Sequence, residues 1–124
     1  MPVPEKSKQA GGKMHLSELS QAMDDFVRAK GWNEADSPRR QTPRNIAISL
    51  SLEAAEILEH FQWNEQTGSR EELAGELADV TLYLLQLARL NNIDLEEAVL
   101  QKLAANYQRE WEPQPSKLKG KPTK

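Results

Sequence analysis

Apolar residues recur with a helical period over four stretches of the chain, and turn formers separate the stretches. In the first, "HLSELSQAMDDFVRAKGW", Leu16, Leu19, Met23, Phe26 and Val27 make one stripe, with Gly31 as its stop. After the polar loop "NEADSPRRQ", Thr42 and Pro43 supply an N-cap and a first helical residue for a second helix running to about Trp63. Ser69 with Glu72, and Asp94 with Glu97, read as capping boxes. They open a third helix ending near Asn91 and a fourth ending near Trp111, before Pro113. No stretch alternates as a half-buried strand does. Short connections after the second helix favour antiparallel neighbours, so the expected fold is an all-α four-helix bundle.

Two helices carry the same anomaly. In "SLEAAEILEHFQW", a turn of about 100° per residue puts Glu53, Glu56, His60 and Trp63 in one quadrant. That quadrant borders the apolar stripe of Leu50, Ile57 and Phe61. In the third helix Leu73, Val80, Leu84 and Leu87 form the stripe, and Glu76, Asp79 and Tyr83 flank it, with Glu72 one turn earlier. Solvated acids ordinarily lie opposite the core. In an antiparallel hairpin the pairs Glu53/Glu56 and Glu76/Asp79 can face each other. Two like charges about 4 Å apart cost on the order of 4 kcal/mol at an effective dielectric of about 20. Protonation, basic partners or a cation must offset that repulsion. An all-oxygen donor set suits a hard divalent ion, Mg²⁺ first and Mn²⁺ second.

Length and composition frame this core. The 124 residues suit one domain. Both ends are rich in Pro, Gly and Lys, which divides the chain into a flexible tail over 1–14, an ordered domain over 15–112 and a basic tail over 113–124. The net charge is −3, yet Lys117, Lys119, Lys121 and Lys124 sit in the last tail, so the body is more acidic than the total implies. An acidic body argues against dedicated nucleic-acid binding. There is no cysteine, hence no disulfide or thiolate metal site. No apolar run approaches a membrane span and no signal-peptide pattern opens the chain, so the expected location is cytoplasmic.

The run "EAAE" at Glu53–Glu56, followed by "ELAD" at Glu76–Asp79, resembles the ExxE…ExxD signature of the all-α nucleoside triphosphate pyrophosphohydrolases, the superfamily of MazG-like proteins, dimeric dUTPases and phosphoribosyl-ATP pyrophosphatase. "PRN" before the first pair, "EILEHFQW" through it and "ELADVTLYL" at the second are similar to the short MazG-like, dCTP-pyrophosphatase-type branch. The resemblance covers roughly residues 15–111. It implies a Mg²⁺-dependent enzyme that cleaves a nucleoside triphosphate, such as dCTP or a modified pyrimidine form, between the α and β phosphates. It assigns metal binding to Glu53, Glu56, Glu76 and Asp79, with Glu53 or Glu56 orienting the attacking water. Trp32, Asn45, His60, Trp63 and Tyr83 would line the substrate pocket, the tryptophans stacking on a base. Lys102, Asn106 and Arg109, on one face of the fourth helix, would meet phosphate. The resemblance also implies a homo-oligomer, a tetramer ahead of a dimer, whose helices complete the bundle and pocket.

Two departures bear on specificity. Glu110 and Trp111 stand where the family has Tyr-Pro, and the loop between Trp32 and "PRN" is longer than in dCTP-type members. Arg39, Arg40 and Arg44 belong to that region, placed either to reach phosphate or to face solvent. From another class, a non-catalytic helical interaction module explains the bundle and the tail but not the acids beside the seam. A carboxylate-bridged di-iron bundle wants Glu-x-x-His pairs. Neither His15 nor His60 has an acid three residues before it. A phosphotransfer histidine is disfavoured at His60 by Glu56 and Glu59.

Overall fold

The computed structural model describes residues 14–110. The tails expected over 1–14 and 113–124 lie, apart from Met14, outside the described residues, as does Trp111. Four helices follow one another: α1 (Leu16–Ala29), α2 (Pro43–Glu59), α3 (Arg70–Leu90) and α4 (Leu95–Gln108). There is no strand among the described residues. The expected caps are in place: Thr42, Ser69 and Asp94 accept the backbone N–H of Asn45, Glu72 and Glu97 at 3.2, 3.2 and 3.1 Å. Pro43 occupies the first turn of α2, where no helical partner for its nitrogen is needed.

Packing is antiparallel through the centre. The end of α2 meets the start of α3 through His60 and Glu76, while Asn45 and Ser49 at the other end share a pocket with Tyr83. α1 runs antiparallel to α3: Gln21 meets Arg89, and Asp24 meets Gln86. The α2–α3 hairpin is the most extensive contact of the fold, and α4 touches α1 and α3 only lightly. The backbone N–H of Leu16 donates to Glu96 at 3.3 Å, which ties the start of α1 to the start of α4.

The core is small and lies where α1 crosses the C-terminal half of α3. Met23, Val27, Ile46, Leu85 and Ala88 are its buried apolar residues. The expected stripes shift accordingly. Leu73, Val80 and Leu87 are half-buried rather than central, and Leu84 is exposed. The reason is that α3 is shared between two neighbours: its α1-facing side, Leu85, Gln86 and Ala88, takes the burial. Helix α2 also ends four residues early, at Glu59 rather than Trp63. The N–H groups of His60 and Phe61 turn back to Ile57 and Leu58, a tightened last turn that leaves Phe61 exposed and off the α2 stripe.

Two buried polar groups lock α1 to α3. Asp24 accepts from Arg28 Nε at 2.9 Å and from Gln86 Nε2 at 3.2 Å, with Arg89 Nε 3.6 Å away. Burial pulls its pKa upward, but hydrogen bonds from Arg28 and Gln86 and the charges of Arg28 and Arg89 outweigh it and hold the carboxyl below the usual aspartate range. A depressed pKa means the unfolded chain binds the proton more tightly, so this stability is present at neutral pH and lost as pH falls through the depressed value. Asp24→Ala leaves Gln86 Nε2 buried and unpaired, and is expected to cost about 1–3 kcal/mol at neutral pH. Urea unfolding of both proteins from pH 7 downward checks this: the gap should narrow as the solution is acidified.

Gly31 ends α1 with φ +72, a conformation that favours glycine, and turns the chain into the 33–40 loop. The N–H of Gln41 donates to the carbonyl of Trp32 at 2.9 Å, closing that loop at its base. The Trp32 ring packs edge-on against Phe26, centroids 5.5 Å apart. The 33–40 loop is thus pinned at both ends, and Trp32 is delivered beside the N-terminal half of α2.

Candidate functional site

The α2–α3 hairpin brings the four expected acids together. Glu53 is half-buried on the seam, and its Oε2 is buried with no hydrogen-bond partner. Burial first, then the charges of Glu56 and Asp79, a hydrogen bond with Glu56 and the charge of Glu76 push its pKa above the ordinary glutamate range. An orphaned carboxylate oxygen surrounded by three further acids is costly in a metal-free fold. That cost identifies where a positive charge would be most welcome. Beside it opens a cleft of about 530 Å³ lined by Glu56, Glu59, His60, Gly68, Ser69, Glu72 and Glu76.

Among the described residues no three His, Asp or Glu side chains stand close enough together to hold an ion by themselves. Mg²⁺ does not need one: it retains waters and is held by one or two carboxylates together with substrate phosphates. The oxygen-only set of Glu53, Glu56, Glu76 and Asp79 could hold such a hard cation, and the unpartnered Glu53 oxygen fits a missing positive charge.

A second pocket, about 330 Å³, lies toward the other end of the hairpin and is lined by Trp32, Pro38, Arg39, Arg40, Gln41, Asn45, Ser49 and Tyr83. Three expected substrate residues, Trp32, Asn45 and Tyr83, therefore share one space. An aromatic face, a phenol and two arginines suit a flat heterocycle carrying phosphate. Asn45 is already partly committed, since its side-chain amide donates to the Arg40 carbonyl at 3.0 Å and steadies the loop.

The remaining expectations fall elsewhere. His60 lines the acid cleft instead of the aromatic pocket, bonded to Glu76. Trp63 lies beyond the end of α2 and is 85% exposed, so it does not share a helical face with Glu56. Lys102 and Asn106 lie on α4 and Arg109 at its C-cap. None of the three lines either pocket, and α4 makes no contact with α2 within the chain. Arg44 is exposed in the first turn of α2.

Sequence reasoning missed two residues. Gln41 lines the aromatic pocket with a buried side-chain oxygen that has no partner, and Thr67 grips His60. Neither carries a helical-period signal, because both lie in loops whose path only the fold defines.

Residues 48–119 match the sequence pattern of the MazG-like family. The chain is 31% identical over 103 residues to dCTP pyrophosphatase 1 of Mus musculus, covering 76% of this chain and 58% of that protein. The human dCTP pyrophosphatase 1 gives 30% over the same length. A dATP/dGTP diphosphohydrolase of Salmonella phage PMBT28 is 37% identical over 82 residues, 66% of this chain and 25% of its own. The chain thus spans less than two thirds of the length of these relatives.

Proposed function

Since the chain belongs to the MazG-like family, a membership carried by the match over residues 48–119, we propose that it is a Mg²⁺-dependent nucleoside triphosphate pyrophosphohydrolase. It would cleave a deoxynucleoside triphosphate, a pyrimidine one such as dCTP first, into the monophosphate and pyrophosphate. The observation that carries the reading is Glu53: a carboxylate with a buried, unpartnered oxygen, ringed by Glu56, Glu76 and Asp79. The names of the relatives, dCTP pyrophosphatase and dATP/dGTP diphosphohydrolase, support the reaction class and favour dCTP without fixing the base.

Each part of the site has a task in this reading. Glu53, Glu56, Glu76 and Asp79 hold the cation, with Mn²⁺ as a substitute. The ion, when bound, supplies charge neutralisation of the triphosphate and a water of lowered pKa. Glu53 or Glu56 orients that water at the α phosphorus and accepts its proton. Trp32 and Tyr83 give the base an aromatic wall, and Arg39 and Arg40 offer charge at the same pocket.

The working form is a homo-oligomer, a tetramer ahead of a dimer. No residue of α4 is buried, and Val99, Leu100, Leu103 and Tyr107 are all exposed along it. Ile48, Leu52 and Leu58 on α2 and Leu77 on α3 are exposed as well. A 14-residue helix is marginal by itself in water, and apolar area on this scale marks a contact surface. A neighbouring α4 could bring Lys102, Asn106 and Arg109, with the exposed Trp63, to a site they do not reach within one chain. No helix of the described residues is long and apolar enough to cross a membrane. A cytoplasmic setting, where free nucleotides occur, suits the cysteine-free sequence.

The test is a panel of canonical and modified dNTPs assayed for pyrophosphate release with Mg²⁺, with Mn²⁺ and with EDTA. Metal-dependent release ranked with dCTP first is the expected result. No release from any nucleotide by a folded protein would favour the non-catalytic interaction module.

A further inference from the structure

We propose that His60 is a positioning residue: a relay from Ser69 through Thr67 to the His60 imidazole fixes one oxygen of Glu76 and leaves the other for the divalent ion. The proposal rests on the metal-site reading above and assigns His60 a task in the acid cleft rather than at the base.

The geometry is a chain of short contacts closing the α2–α3 turn. His60 is the C-cap of α2, and its side chain is only 10% exposed. Its Nε2 lies 2.5 Å from Glu76 Oε2, and its Nδ1 lies 2.6 Å from Thr67 Oγ1. Thr67 Oγ1 also accepts the N–H of Ser69 at 3.1 Å and faces the Ser69 carbonyl at 3.1 Å. Ser69 in turn caps α3, the helix that carries Glu76. Both ring nitrogens are thus occupied, which fixes the plane of the imidazole.

Counting hydrogens fixes the donor at Glu76. The Thr67 hydroxyl has one proton to give, either to the Ser69 carbonyl or to His60 Nδ1. In the first case Nδ1–H donates to Thr67 and the ring carries protons on both nitrogens; in the second Nδ1 accepts and the ring carries only the Nε2 proton. In both cases an ionised Glu76 can only accept, so Nε2–H is the donor to it. One carboxylate oxygen is committed to the ring and the other is free for a cation. Outer partners of this kind orient metal-binding side chains and typically contribute 10–100-fold in metal affinity. A merely structural histidine would stabilise the turn without touching that affinity.

The test measures Mn²⁺ binding directly, by the loss of the free-ion electron paramagnetic resonance signal, alongside the melting temperature of the metal-free protein. His60→Leu should weaken Mn²⁺ binding about 10–100-fold. Thr67→Val, a smaller change that removes the hydroxyl, should weaken it in the same direction, and Thr67→Ser should restore it. Wild-type affinity in both His60→Leu and Thr67→Val would overturn the relay while leaving the metal site standing. A His60→Leu protein that does not fold leaves Thr67→Val against Thr67→Ser as the deciding pair. Wild-type protein that binds no Mn²⁺ would overturn the relay together with the metal-site reading.

Discussion

Replacing Glu53 by glutamine is expected to abolish turnover and, at the same time, to make the metal-free protein more stable. Both effects have one origin. The Glu53 carboxylate is held on the seam among Glu56, Glu76 and Asp79, with one oxygen buried and unpaired, and its pKa is raised by burial and by those charges. A raised carboxylate pKa means the folded state binds the proton more tightly than the unfolded chain does. The contribution of this group to stability is therefore fullest at low pH and declines as pH climbs through and above the ordinary glutamate value of about 4.3. Glutamine copies the neutral form at every pH. Because the cluster is partly solvated, the gain is modest, roughly 0.5–1 kcal/mol or a few degrees in melting temperature at neutral pH. The loss of activity should be large, on the order of 10²–10³-fold or more, since a ligand of the cation that would neutralise the reacting phosphate is removed. Added Mg²⁺ should raise the melting temperature of the wild type and leave that of Glu53→Gln nearly unchanged. A less stable Glu53→Gln at pH 7 would contradict the account of the seam.

The second large effect concerns α4. Leu103 is 51% exposed at the centre of the row formed by Val99, Leu100 and Tyr107. Leu103→Lys puts a charge where a second copy is expected to pack, and an unpaired charge buried at a contact is strongly unfavourable. Sedimentation equilibrium should give four chain masses for the wild type and one for Leu103→Lys. Far-ultraviolet circular dichroism should fall as well, because α4 is too short to persist without its contacts. Pyrophosphate release should drop with the assembly. A wild type that sediments as a monomer, or a Leu103→Lys protein that keeps wild-type mass and activity, would remove the basis for the shared site.

The helices were legible from the sequence because local chemistry sets them. Thr42-Pro43, Ser69 and Asp94 open their helices where the cap residues said they would. The positions of two carboxylates were legible for a related reason: helical periodicity put Glu53 and Glu76 beside the seam, where they are half-buried, while Glu56 and Asp79 stay exposed. What the sequence hid depended on tertiary choices. Period alone put Leu84 in the core, but α3 turns Leu85, Gln86 and Ala88 toward α1. A continuous α2 would have kept Trp63 and His60 on one face. The chain instead leaves the helix at Glu59, His60 bonds to Glu76, and Trp63 moves to the surface. Asp24 belongs to no apolar stripe, yet it is buried against Gln86 and Arg28. Thr67 and Gln41 act through loops, and no spacing rule reaches them.

The central claim is that the acid seam, loaded with a divalent ion, splits the α–β bond of a deoxynucleoside triphosphate. The most direct measurement separates and quantifies the products of dCTP for wild type and Glu53→Gln side by side, with Mg²⁺ and with EDTA. The account predicts dCMP and pyrophosphate in equal amounts from the wild type with Mg²⁺, and neither from the variant or in EDTA. Formation of dCDP and orthophosphate, or undiminished dCMP from Glu53→Gln, would contradict it.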